Sequence, residues 1–134
     1  MNNKDKKNYS RGIVFGVFDN LHNGHKYFLN EASKICDKLT VVVAPTEIVK
    51  LLKKHPPKYS FKERVEKIKE FNPNFFVISG DLTLGEWNIL KQNSSNIVFL
   101  GYDQKEISKD LEKLNISYIF LEPYFPQKYK SSFL

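Results

Sequence analysis

Short, largely apolar runs recur along this chain, each parted from the next by a stretch with helical spacing or by a polar loop. The runs are Gly12–Phe18, Leu39–Ala44, Phe75–Ser79, Asn96–Leu100 and Ser117–Leu121. Their apolar positions are continuous rather than alternating, which marks parallel strands buried on both faces. After the first run, a helix beginning at about His22 or Gly24 places Phe28, Leu29, Ala32, Ile35 and Cys36 on one face. Pro45–Tyr59, with Pro56, Pro57 and the lysines Lys50, Lys53, Lys54 and Lys58, reads as a mobile loop holding at most a short helical turn. Ser60 and Glu63 then form a capping box, opening a helix with a buried stripe of Phe61, Val65, Ile68 and Phe71. Leu84–Gln92 is a short helix, and Gln104–Leu114 a longer one with Ile107, Leu111 and Leu114 turned inward. The order β-α-β-α-β-α-β-α-β requires an α/β fold: one doubly wound domain with a five-stranded parallel sheet. A chain of 134 residues holds one such core and no second substrate domain. Residues 1–11 read as a basic tail and 12–134 as the domain, with neither repeat nor linker inside it.

In sheets of this kind, ligands bind beyond the carboxyl ends of the strands, where strand order reverses. The segment GVFDNLHNGH, Gly16 to His25, lies where the first strand meets the first helix. Gly16 and Gly24 let the backbone approach a ligand closely. The helix start offers unpaired N–H groups and a partial positive charge. His22 and His25, three apart, project from the same side of a helical turn and can donate hydrogen bonds to phosphate oxygens. Neither a GxGxxG fingerprint nor a Walker A loop is present. Taken alone, two histidines at this spacing also describe a solvated helix face or half of a metal site. Zinc would need further ligands, and only His55 and Cys36 remain, the latter with the look of a core residue. No metal-binding set is therefore expected.

The segment resembles the signature of the cytidylyltransferase-like nucleotidyltransferase superfamily: Gly, variable, Phe, Asp, two variable, His, variable, Gly, His. Gly16, Phe18, Asp19, His22, Gly24 and His25 meet its fixed positions, and Val17 and Asn23 lie between them. The resemblance covers nearly all of the chain after the tail and implies a Rossmann-like domain with these residues around the nucleotide. It implies that the lysine-bearing loop folds over the triphosphate, with Lys53 the first candidate and Lys50 the second. Arg64, one of two arginines with Arg11, would support the phosphates with its planar fork. LGYDQ, Leu100 to Gln104, resembles archaeal-type FAD synthases, in which GYDQ follows the fourth strand. Gly101 would then allow close approach and Asp103 would contact the nucleotide; without the family, Asp103 reads as a cap for the next helix. In the closing segment QKYKSSFL, Tyr129, Lys130, Ser131 and Ser132 resemble the family's Ser/Thr-rich second signature. The arginine usual before that signature is missing, leaving its charge to Lys128 or Lys130. Only two residues follow Ser132, too few for the usual last helix, so the expectation is a weaker triphosphate grip or one completed by a second subunit.

The chemistry implied is in-line attack by an acceptor phosphate on the α-phosphorus of a nucleoside triphosphate, with pyrophosphate leaving. His22 and His25 would stabilise the α-phosphoryl group, and Lys53 and Arg64 the leaving pyrophosphate. Mg2+ would be carried on the triphosphate. FMN adenylyltransferase (FAD synthase) comes first. A CTP-dependent cytidylyltransferase acting on glycerol 3-phosphate or a similar head group comes second, and a catalytically silent nucleotide-binding protein third. The net charge of +6 agrees with an anionic ligand. It does not argue for nucleic acid, because most positive charge sits in the tail and the loop without interleaved aromatics. No apolar run nears the roughly 20 residues of a membrane helix. A single cysteine suits a reducing compartment, so a cytoplasmic protein, a homodimer by resemblance, is expected.

Overall fold

The computed structural model describes residues 9–82, 86–92 and 97–122. Its central strand, β1 (Tyr9–Gly16), is joined by α1 (Asn23–Lys34) to β2 (Cys36–Val43). Then come α2 (Thr46–Lys53), α3 (Phe61–Phe71), β3 (Phe76–Ser79), α4 (Asn88–Gln92), β4 (Ile97–Leu100), α5 (Lys105–Lys113) and β5 (Tyr118–Phe120). The five strands form one sheet in the order β3-β2-β1-β4-β5, and every pairing is parallel. Strand order therefore reverses between β1 and β4, as the α/β reading requires.

The continuous apolar runs resolve into two cores because side chains alternate across a strand. Val14, Val41, Val43 and Phe99 face one side, where Leu29 and Ala32 of α1 and Ile68 of α3 cover them. Ile13, Val42, Val98 and Leu100 face the other, under Leu90 of α4 and Leu111 of α5. All four residues of β4 are buried. Each fully buried Leu, Ile or Val contributes roughly 1.5–3 kcal/mol. The expected capping box holds α3: Ser60 Oγ accepts from Glu63 N at 3.1 Å, and Ser60 N donates to Glu63 Oε1 at 2.9 Å.

Four sequence readings are corrected. Tyr9, Ser10 and Arg11, assigned to the tail, belong to β1, with Tyr9 opposite Cys36 and Arg11 opposite Lys38. Cys36, placed on the first helix, opens β2 and stays buried. The 45–59 segment is no open loop: α2 runs for 8 residues and buries Ile48 and Val49. Leu114, expected inward, follows the end of α5 and is exposed.

Candidate functional site

The turn after β1 is shaped by Phe18, whose φ of 51° puts a bulky residue in left-handed backbone. This conformation folds its ring back over Gly16, where an added Cβ would lie 2.6 Å from the ring. The close approach of Phe18, rather than a bend at Gly16 itself, is what requires glycine there. Strained backbone of this kind persists where the surroundings enforce it, commonly at ligand sites.

At the start of α1 the two histidines cap the helix reciprocally. His22 Nδ1 accepts from Gly24 N at 3.0 Å and from His25 N at 3.4 Å, while His22 N donates to His25 Nδ1 at 3.3 Å. The rings stack with centroids 3.8 Å apart. Gly24 lies under the His22 ring, with room for an added Cβ only 2.9 Å from His22 Cε1. An Nδ1 that accepts a hydrogen bond leaves the proton of a neutral imidazole on Nε2. Both rings are therefore set as Nε2–H donors at a helix N-terminus. Phe18 meets His25 edge-on at 5.4 Å. Burial, and then the neighbouring His22 ring, push the His25 pKa down to about 4, with the Asn20 carbonyl and Asp103 pulling the other way. His25 is thus neutral at pH 7, a hydrogen-bond donor rather than a cation.

Two side chains tie the surrounding loops together. Both Asp19 oxygens accept backbone N–H bonds, from Lys58 at 2.7 Å and Tyr59 at 2.9 Å. Burial pushes the Asp19 carboxyl up, but these bonds, with the charges of Arg64 and His55, outweigh it and hold it below its ordinary value. Arg64 is 1% exposed. Its guanidinium donates to the carbonyls of Val17 at 3.0 Å, Ala44 at 2.8 Å and Tyr59 at 3.2 Å, and to Thr46 Oγ1 at 3.4 Å. Its fork is thus spent on main chain from three loops, and Arg64 is not among the residues lining the cavity.

That cavity, about 1200 Å³, opens at the carboxyl ends of the strands. Of the four candidate lysines, Lys53 alone lines it; Lys50 pairs with Glu47 at 3.3 Å. Gly16, Val17, Phe18, Asp19, His22, Asn23, Gly24, His25, Gly101 and Asp103 line it too. Asp103 does not cap α5, whose N-cap is Gln104 and has no side-chain cap bond. Tyr129, Lys130, Ser131 and Ser132, with Lys128, lie outside the described residues. No group of three or more His, Cys, Asp or Glu among the described residues is arranged to hold a metal ion.

Residues beyond those singled out from sequence complete the walls. Gln104 Oε1 accepts from Gly101 N and its Nε2 donates to the Phe15 carbonyl, both at 2.9 Å, bridging the diverging ends of β4 and β1. Its place in GYDQ was the available signal. Trp87, at φ 57°, stands edge-on to Phe15 with centroids 5.2 Å apart and also lines the cavity. Nothing in its sequence surroundings marks it.

The cytidylyltransferase-like family profile matches residues 13–131. A FAD synthase of Thermococcus sibiricus is 35% identical over 130 residues, covering 94% of this chain and 86% of the relative. A FAD synthase of Pyrococcus horikoshii is 34% identical, covering 88% and 83%. Among solved structures, the lipopolysaccharide core biosynthesis protein of Thermoplasma volcanium superposes with a TM-score of 0.71 at 29% identity, over 86% of this chain and 96% of that one.

Proposed function

The chain belongs to the cytidylyltransferase-like family and is a nucleotidyltransferase, and on that premise we propose that it is an FMN adenylyltransferase, converting ATP and FMN to FAD and pyrophosphate. The observation that carries this reading is the reciprocal histidine cap, which turns two imidazole Nε2 atoms outward as donors beside a helix N-terminus. The names of the relatives and the segment Gly101–Gln104 favour flavin over a head-group phosphate. The cavity also exceeds the roughly 300–1,000 Å³ of a one-ligand pocket, leaving room for two substrates.

In this reading an FMN phosphate oxygen attacks the α-phosphorus in line, the bond to the bridging oxygen breaks, and pyrophosphate departs with its electrons. Nε2–H of His22 and of His25 donate to the α-phosphoryl and bridging oxygens, where negative charge grows. Lys53 neutralises the pyrophosphate. Gly101 and Asp103 hold the nucleotide, and Tyr129, Lys130, Ser131 and Ser132 remain proposed triphosphate contacts. Arg64 acts at one remove, by fixing the loops. The donor set suits Mg2+ as a triphosphate complex and not as a caged ion, since both Asp19 oxygens are already engaged by N–H groups. When bound, the cation neutralises phosphate charge. A cytoplasmic homodimer completes the reading.

The test is incubation with ATP, FMN and Mg2+, following FAD and pyrophosphate, against CTP with glycerol 3-phosphate. FMN-dependent pyrophosphate release from ATP supports the proposal. Transfer from CTP without flavin replaces it with the cytidylyltransferase, and nucleotide binding without any transfer replaces it with a silent binding protein.

A further inference from the structure

Trp87 is held in an unusual way for a residue on a cavity wall. Its backbone lies in the left-handed region, which a bulky side chain adopts only when its surroundings enforce it. Its carbonyl accepts from Leu90 N at 3.1 Å and Lys91 N at 3.3 Å, closing the first turn of α4. The indole Nε1–H donates to Asp110 Oδ2 on α5 at 2.7 Å, a short bond to a carboxylate and so among the stronger kinds. With its edge fixed by Asp110 and braced against Phe15, the half-buried ring also lines the cavity.

Its position separates it from the phosphate-binding end. Phe18 and Phe28, beside the histidines, pack on the sheet face covered by α1, and Gly101 approaches Phe28 from that side. Trp87 and Phe15 pack on the opposite face, with Ile13, Leu90 and Leu111. The cavity thus reaches from the imidazoles, beside Phe18 and Phe28 of the α1 face, to the Trp87 ring of the opposite face. A planar, aromatic acceptor matches the second end, since flat rings gain from offset or edge contact with an indole.

We infer that Asp110 is a positioning residue for the acceptor: it holds the Trp87 indole as the wall against which the flat ring of the acceptor lies, an inference that rests on the FMN adenylyltransferase reading. Asp110 is not itself among the cavity-lining residues, so it acts through Trp87.

The experiment compares steady-state kinetics of wild type, D110N, D110A, W87F and W87F/D110A, with FMN and ATP varied separately. D110A is expected to raise KM for FMN about tenfold, from loss of one charge-assisted hydrogen bond and the wall it fixes, while KM for ATP stays within about twofold. D110N keeps an acceptor oxygen and should stay within about threefold of wild type. W87F, which lacks the indole N–H, should match D110A, and adding D110A to W87F should change nothing further. Trp87 is the sole tryptophan, so its emission reports this wall alone, and D110A should shift it to the red. An unchanged KM for FMN in W87F overturns the inference, as does a D110A effect that falls equally on ATP or persists in W87F. If wild type forms no FAD, reading and inference fall together; if it does and the variants behave as wild type, the inference alone falls.

Discussion

His22 carries two duties that a single substitution would confuse. Its Nδ1 caps α1, and its Nε2–H is the donor assigned to phosphate. His22→Ala removes both, and should lower turnover by about 10²-fold or more while costing about 1 kcal/mol in lost capping. His22→Asn restores a side-chain acceptor for the cap but places no donor where Nε2 stood. It should melt near the wild-type temperature and stay as slow as His22→Ala; wild-type turnover in His22→Asn would remove the phosphate role. His25 offers a different readout. Its folded pKa, about 4, lies below the ordinary 6.5. Between those values the unfolded chain binds a proton that the folded chain refuses, so stability falls as pH drops from 6.5 toward 4. Urea unfolding at pH 7, 5.5 and 4.5 should show this decline, and His25→Asn should flatten it; an equal slope in both proteins would contradict the half-buried, neutral ring. The spacing of these residues was legible in the sequence because one helical turn sets their geometry. The partners of Asp19 were not, since Lys58 and Tyr59 lie 39 and 40 residues away and are met only through the fold.

At the scale of elements, α2 shows how a local signal can be misweighted. Pro56 and Pro57 suggested a loop for the whole segment, yet both fall after the helix, and Pro45 precedes its first turn. Within Thr46–Lys53, Glu47 and Lys50 pair on the outer side while Ile48 and Val49 turn inward, as an amphipathic helix requires. The error concealed what α2 does, which is to carry Lys53 to the cavity. Arg64 is the complementary case: its identity was legible, its direction was not. Only the fold reveals that the β1–α1, β2–α2 and α2–α3 connections converge on its guanidinium. Replacing it by Lys keeps the charge but cannot reach all these carbonyls, and leaves buried acceptors unpaired. Arg64→Lys should destabilise the fold by about 3 kcal/mol, measured by urea unfolding, and should loosen ATP binding because the loop bearing Asp19 and the helix bearing Lys53 lose their common anchor. A variant as stable as wild type would mean that the carbonyls find other donors.

For the whole molecule, the parallel order of the sheet was readable from the strand-helix alternation, because right-handed crossovers leave few arrangements open. The two-ended cavity was not, since it depends on side chains from both faces meeting where β1 and β4 part. Phe15 and Gly16 are neighbours on β1, yet the first turns to the Trp87 core while the second is covered by Phe18, so one strand end serves both halves. That geometry has a thermodynamic consequence. If nucleotide and flavin occupy different ends, they must bind together, and each adds its own stabilisation of the folded state. At 100 times its dissociation constant, one ligand contributes about 2.7 kcal/mol, or roughly 10 °C in melting temperature for a domain of this size. A non-transferable analogue with a methylene between α- and β-phosphorus removes turnover from the comparison. The melting temperature with analogue and FMN together should then exceed that with either alone by nearly the other's separate shift. Shifts that fail to add would mean that the two ligands compete for one end, and a cavity able to hold only one substrate at a time could not bring the attacking oxygen to the α-phosphorus.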